Sequence, residues 1–187
     1  MNKTIIALTG IQGSGKGSQA SLICKSMNLK HVSPGDALRK AIHDKTPEGL
    51  AYEEAYKRGE LAPVELVNSI MKQEMEATDG FSGLLLDGFP RSVPQMEWLL
   101  SNYKIDAVIS LVLDKEIAIK RLMARGREDD NEEGIRKRIQ TWKNETKPLW
   151  INYATKGKYK TLQIDAYGSI ESVYARIMEA LYHTMPR

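Results

Sequence analysis

Cysteine is nearly absent from this sequence: Cys24 is the only one among 187 residues. An internal disulfide is therefore impossible, and the lack of a disulfide framework fits a reducing, cytoplasmic setting. Cys24 lies among apolar neighbours in a helical stretch and reads as a small buried hydrophobe rather than a reactive thiol. No apolar run reaches the roughly 20 residues that span a bilayer, so no membrane association is expected. The N-terminal apolar run is short and leads straight into a glycine-rich loop, so no secretory leader is expected either. Internal repeats and low-complexity segments are missing. So is any large excess of one charge: 27 Lys and Arg stand against 24 Asp and Glu, a formal net charge of +3 with the two signs interleaved. That balance does not point to a nucleic-acid surface, although a local anion site remains compatible with it. With 42% hydrophobic residues, a chain of this length is expected to form one domain with small insertions and a good core.

What is present begins at Lys3. Residues Thr4 to Thr9 form a short β-branched apolar run, suited to a strand buried on both faces. Gly10, Gly13, Gly15 and Gly17 punctuate the turn that follows, Lys16 lies among them, and Ala20, Leu22, Ile23 and Met27 suit a helix directly after it. Strand, glycine-rich turn, lysine and helix make the phosphate-binding arrangement G-x-x-x-x-G-K. Glycines let main-chain amides approach a ligand without a Cβ in the way, and several N–H groups can then converge as an anion nest. The helix N-terminus adds its positive dipole end, and Lys16 a mobile charge for the outer phosphates of a triphosphate. The usual Ser/Thr after the lysine is replaced by Gly17, with Ser18 one place later.

Strand-like runs alternate with helical patterns along the whole chain. Strands are expected at Lys3–Thr9, Lys30–Val32, Gly83–Asp87, Ala107–Leu113 and Lys160–Asp165. Such alternation predicts an α/β fold: a five-stranded parallel sheet with helices on both faces and ligands at the carboxyl ends of the strands. Two regions depart from the alternation. Residues 33–63 read as a small helical flap, with breaks at Thr46-Pro47-Glu48-Gly49 and at Gly59. Residues 125–131, R-G-R-E-D-D-N, read as a very short charged lid between two helices, with Asn131 capping the second and Glu132 and Glu133 in its first turn. The core is then 1–32, 64–124 and 132–187.

The residues that carry chemistry cluster at strand ends. Asp87 closes the apolar run Leu84-Leu85-Leu86, and beside a phosphate loop a carboxylate there handles Mg²⁺, directly or through water. Gly88-Phe89-Pro90 fixes a turn that presents Arg91, whose guanidinium can grip a phosphate with two hydrogen bonds. Arg39, Arg121, Arg125, Arg127 and Arg138 recur in regions that should face the same sheet edge, and Arg121 and Arg125, four apart, share a helix face. Phosphoryl transfer requires charge around the equatorial oxygens and reactants held in line, which several arginines and one lysine provide. Lys115, Lys120, Arg136, Lys137, Lys143 and Lys147 read instead as a solvated basic face. Asp129 and Asp130 either complement the next helix N-terminus or steady the lid arginines, and both can hold at once. His31 reads as a packing or hydrogen-bonding residue, since transfer between phosphates needs no such base. Trp98, Trp142 and Trp150 read as core or half-core residues, and the methionines as core fillers.

Taken together, these stretches resemble the adenylate kinases, within the wider nucleoside-monophosphate kinases, over nearly the whole chain. G-I-Q-G-S-G-K-G-S-Q is similar to the family's G-x-P-G-x-G-K-G-T-Q, H-V-S-P-G-D-A-L-R to its H-x-S-T-G-D-x-L-R, and D-G-F-P-R-S-V-P-Q to its D-G-F-P-R-T-x-x-Q. R-L-M-A-R-G-R-E-D-D-N-E-E-G-I-R-K-R is similar to its lid and following helix. The resemblance implies a P-loop NTPase-type core with an NMP-binding flap and a lid, and the reaction ATP + NMP ⇌ ADP + NDP with Mg²⁺. It places Gly13, Ser14, Gly15, Lys16, Gly17 and Ser18 on the ATP phosphates, Arg121 and the backbone near Gly168 at the ATP adenine, and Arg125 on ATP phosphates. It places Arg39 and Arg91 on the acceptor phosphate, in the turn Gly88, Phe89, Pro90, Arg91, with Arg127 and Arg138 bridging donor and acceptor. The backbone at Glu60, Leu61 and Ala62 and the Gln95 side chain would read the acceptor base.

Gln95 carries donor and acceptor on one amide and stands where adenylate kinases place Gln, which favours AMP. Pro34 stands where the family has Thr; it offers neither hydroxyl nor N–H, and it restricts Ser33, so weaker base discrimination is expected. Gln12 replaces the loop proline, Ser18 keeps the hydroxyl of Thr, and no cysteines mark a zinc-bearing lid. With only Gly126 between Arg125 and Arg127, the lid should exclude water poorly, and some ATP hydrolysis without acceptor is expected. The expectation is a monomeric adenylate kinase acting on ATP and AMP. A UMP/CMP or broad-specificity kinase is the near alternative. A non-catalytic nucleotide-binding regulator is the alternative from another class, opposed by arginines on both sides of the transferred group. A GTPase is disfavoured by the lack of an N-K-x-D motif.

Overall fold

The computed structural model describes residues 3–58, 60, 62–126 and 131–184. In chain order the elements are β1 Thr4–Gly10, α1 Lys16–Met27, β2 Leu29–Val32, α2 Pro34–His43, α3 Pro47–Lys57, α4 Val64–Glu76, β3 Gly83–Asp87 and α5 Val93–Asn102. They continue with β4 Ala107–Val112, α6 Lys115–Arg125, α7 Glu132–Thr141, a π-helical turn Trp142–Thr146, α8 Lys147–Thr155, β5 Lys160–Asp165 and α9 Ile170–Thr184. The five strands form one parallel sheet in the order β2-β3-β1-β4-β5.

β1 lies at the centre and is apolar on both faces, as a strand must be when helices cover the sheet above and below. Its Ile5 and Ala7 enter one core with Met71 and Met75 of α4, Met96 and Leu99 of α5, and Trp150 of α8. Ile6 and Leu8 enter the opposite core with Ala20 and Ile23 of α1 and with Val173, Ile177 and Leu181 of α9. A third, smaller cluster joins Ile11 to Ala118 and Leu122 of α6 and Ile135 and Ile139 of α7. Each fully buried aliphatic side chain of this kind stabilises the fold by about 1.5–3 kcal/mol relative to exposure. Among the described residues no helix is long and apolar enough to cross a membrane.

The expected strands all form. β3 and β5 have the expected bounds, and the others differ by a residue or two at their ends. β2 starts at Leu29 because Asn28 adopts a left-handed φ of 51° and closes α1. Residues 34–57 fold as two helices, but Gly49 is not a break. Thr46 caps α3 and Pro47 begins it, while Gly49 lies inside it, where a Cβ would come 2.2 Å from the Ala41 carbonyl oxygen. That glycine is there because α2 and α3 touch backbone to backbone. Gly59 lies outside the described residues. Asn131 caps α7 as expected, accepting from the Gly134 N–H at 2.7 Å, with Glu132 and Glu133 in the first turn. Cys24 is half-buried rather than buried, and burial pushes its thiol up to about 11.

Candidate active site

The carboxyl ends of the strands share one edge, and a cavity of about 690 Å³ opens there. Gly13, Gly15, Lys16, Gly17 and Ser18 form its floor at the start of α1. Gly13 and Gly15 hold φ of 83° and 94°, and a Cβ on Gly13 would meet the Ala118 carbonyl oxygen at 2.5 Å, so the loop is pressed against α6. Ser14 does not face the cavity. It is 2% exposed, and its N–H donates to the Ile11 carbonyl at 3.1 Å, closing the turn. The Lys16 ammonium folds back on its own loop, donating to the Gly10 and Ile11 carbonyls at 2.7 and 3.0 Å. Burial lowers its pKa to about 8; Asp87 acts in the opposite sense, while Arg91 and Arg125 lower it further.

Asp87 ends β3 on the cavity wall, 9% exposed, with one carboxylate oxygen 3.3 Å from His31 Nε2. That hydrogen bond raises the His31 pKa. Gly88 turns the chain at a φ of 69°, and Arg91 is then held at three points. Its Nε donates to the Gly88 carbonyl at 2.7 Å, its N–H to Gln95 Oε1 at 2.8 Å, and its carbonyl accepts from Thr146 Oγ1 at 3.3 Å. Burial lowers the Arg91 pKa; Asp87 and Tyr52 oppose this, and Arg138 and Arg39 reinforce it. Gly88, Phe89 and Gln95 also line the cavity, whereas Pro90 is buried behind the turn.

Arg39 of α2, Arg121 and Arg125 of α6, and Arg138 of α7 all reach the same cavity. Arg39 pairs with Asp36 on the preceding turn of its helix. Arg121 donates to the Ala166 carbonyl at 3.4 Å, which ties α6 to the end of β5. Arg138 Nε donates to the Gly134 carbonyl at 3.2 Å. Pro34, the first residue of α2, lines the cavity together with Glu60 and Ala62. Gly168 is exposed on the loop after β5 and does not line the cavity. Leu61, Arg127, Asp129 and Asp130 lie outside the described residues.

Some residues of the cavity carried no expectation as ligands. Tyr52 and Tyr56, four apart on α3 with ring centroids 6.3 Å apart, both line it, as do Gln12, His31 and Asp36. The i, i+4 tyrosine pair was the one available signal for the first two. Thr146 is another case: the π-helical turn places its buried hydroxyl against the arginine loop, and nothing in the local pattern announces such a turn. Lys137, read as solvated, pairs with Glu60 at 3.2 Å.

Among the described residues no three His, Cys, Asp or Glu side chains cluster as a metal cage. One carboxylate at Asp87, with the Ser18 hydroxyl on the same cavity, fits a hard cation that keeps its waters and takes its other ligands from phosphates.

A parallel sheet with a glycine-rich loop at its carboxyl edge, faced by arginines from several elements, defines a P-loop protein with cationic groups on both sides of one cavity, an arrangement suited to phosphate-bearing ligands. Comparison with known proteins narrows the class. The family model described as adenylate kinase matches residues 8–158. The adenylate kinase of Rhodococcus erythropolis (strain PR4 / NBRC 100887) is 38% identical over 181 residues, covering 94% of this chain and 98% of that protein. The adenylate kinase of Synechococcus sp. (strain CC9902) is 41% identical over 184 residues, covering 96% and 99%. The chain belongs to the adenylate kinase family and is a nucleotide phosphotransferase.

Proposed function

We propose that the protein transfers the γ-phosphoryl group of ATP reversibly to AMP, giving two ADP. The observation that carries this reading is the placement of Lys16 and Arg91 on one cavity, each half-buried and each within the electrostatic reach of Asp87. Lys16, with Gly13, Gly15, Gly17 and Ser18, takes the ATP phosphates. Ser14 contributes only by closing the loop. Arg121 lies against the ATP adenine and the Gly168 backbone flanks it; Arg125 takes ATP phosphates. Arg39 and Arg91 hold the acceptor phosphate, and Arg138, with Arg127, bridges the two. An oxygen of the AMP phosphate bonds to the γ-phosphorus as the bond to the β–γ bridging oxygen breaks. The arginines and Lys16 stabilise charge on the transferring oxygens, so no side chain needs to act as a base. Mg²⁺ bound with ATP would neutralise phosphate charge, held through water by Asp87.

The acceptor base is read by the segment Glu60, Leu61 and Ala62, through main-chain groups of Leu61 and Ala62 and the second lone pair of the Glu60 carbonyl, and by Gln95. Because Gln95 Oε1 accepts from the Arg91 N–H, its NH₂ is left to serve the base as a donor, suited to an adenine ring nitrogen. The half-buried lone cysteine supports a reducing, cytoplasmic setting, and we read the working form as a monomer with residues 33–63 as flap and 125–131 as lid. Initial rates with AMP, CMP, UMP and dGMP test the reading. AMP should be phosphorylated fastest, and a clear preference for UMP or CMP would overturn it.

A further inference from the structure

Glu60 is a meeting point. Its carboxylate accepts from Arg58 Nε at 3.0 Å and from Lys137 Nζ at 3.2 Å, and its carbonyl accepts from the Tyr52 hydroxyl. Its N–H donates to the Ala55 carbonyl at 3.0 Å. Arg58, Tyr52 and Ala55 belong to the α3 region, but Lys137 lies 77 residues away on α7. A second bond spans the same gap: Asn131, the cap of α7, donates from Nδ2 to the Lys57 carbonyl at 3.4 Å. The exit of the α2–α3 segment is thus docked along one side of α7. The opposite side is anchored in the core by Ile135 and Ile139, which are 0% and 3% exposed. Successive helix residues point about 100° apart. On α7 this turns Lys137 to the docked segment and Arg138, the next residue, to the cavity.

We propose that Lys137 is a positioning residue for phosphoryl transfer, docking the acceptor-reading segment at Glu60 onto the helix that carries Arg138. This rests on the reading of AMP as acceptor. The Lys137 and Glu60 side chains remain 47% and 36% exposed. The pair is therefore modest in strength and sensitive to salt. Removing Lys137 leaves Glu60 bonded to Arg58 and Tyr52, so the segment stays folded but is tied to α7 only by the Asn131–Lys57 bond.

The test is steady-state kinetics at low ionic strength on Glu60→Gln, Lys137→Met, the double variant and Lys137→Arg, with thermal melts of each. Each single neutralisation should raise KM for AMP about 1.5- to 5-fold with KM for ATP unmoved. The double variant should be no worse than the poorer single, Lys137→Arg should restore the wild-type value, and melting should be unchanged. Additive effects in the double, or equal shifts in both KM values, would overturn the proposal. So would unshifted KM for AMP in an enzyme that does phosphorylate it. A wild type that fails to phosphorylate AMP overturns the reading beneath the proposal and the proposal with it.

Discussion

Lys16 should change its protonation when ATP binds. In the free protein its ammonium is packed under the phosphate loop near Arg91 and Arg125, and burial sets its pKa at about 8 instead of 10.5. At pH 8.5 roughly three quarters of the molecules then carry a neutral Lys16. Triphosphate arriving on the loop brings negative charge within reach and restores the ammonium, so ATP binding at pH 8.5 should take up about 0.7 of a proton. At that pH the phosphates of ATP are already ionised and add no proton of their own. Calorimetric titrations in two buffers of different ionisation enthalpy measure the uptake. Lys16→Arg is the control, because a guanidinium stays charged throughout. Uptake indistinguishable from that of the control would refute the reasoning. The same shift has a stability consequence. The unfolded chain keeps its Lys16 proton to about 10.5, so between pH 8 and 10.5 it binds more protons than the folded one, and stability rises with pH across that window. A complete shift of this size corresponds to about 3 kcal/mol. With the side chain only half-buried, the share expressed in stability is on the order of 1–2 kcal/mol. Chemical denaturation across that window should show the rise in wild type and a smaller one in Lys16→Met.

Four further outcomes are expected. Arg91→Ala should lower kcat about 10²- to 10³-fold while ATP affinity, measured by equilibrium titration, stays near wild type; loss of ATP binding in step with turnover would place Arg91 on the wrong substrate. Gly49→Ala puts a methyl group 2.2 Å from the Ala41 carbonyl oxygen, so it should cost about 1–3 kcal/mol in thermal or chemical unfolding and raise KM for AMP more than KM for ATP. Pro34→Thr restores a hydroxyl and an N–H at the cavity wall and should widen the AMP-over-CMP ratio of kcat/KM; an unchanged ratio would clear Pro34 of any part in base choice. Phosphate release from ATP without acceptor should stand above the buffer blank, because a lid as short as the one proposed at residues 125–131 would exclude water poorly.

Much of this protein was legible locally. The loop from Gly10 to Ser18 announced its anion site because glycines, a lysine and a following helix act within a few residues of one another. β3 could be bounded to the residue because its apolar run Leu84–Leu86 ends abruptly at Asp87 and the turn-forming Gly88, and β5 from the alternation of Leu162 and Ile164 with polar neighbours. Arg39, Arg91, Arg121, Arg125 and Arg138 could be picked out, and the cavity does collect them. Their partners could not be picked out.

Nothing near Ser14 says that its side chain is turned inward, and nothing near Gln95 says that its carbonyl is already occupied by Arg91. Gly49 reads as a helix break until α2 is packed against it. The Thr146–Arg91, His31–Asp87 and Lys137–Glu60 contacts join residues 55, 56 and 77 positions apart. The chain by itself determined its strands, its phosphate loop and its stock of arginines, because each rests on spacing and backbone preference within one element. Tertiary structure alone decided which groups remain free for substrate and which are spent holding other groups, because hydrogen bonds and ion pairs form between surfaces that only the packed sheet and helices bring together.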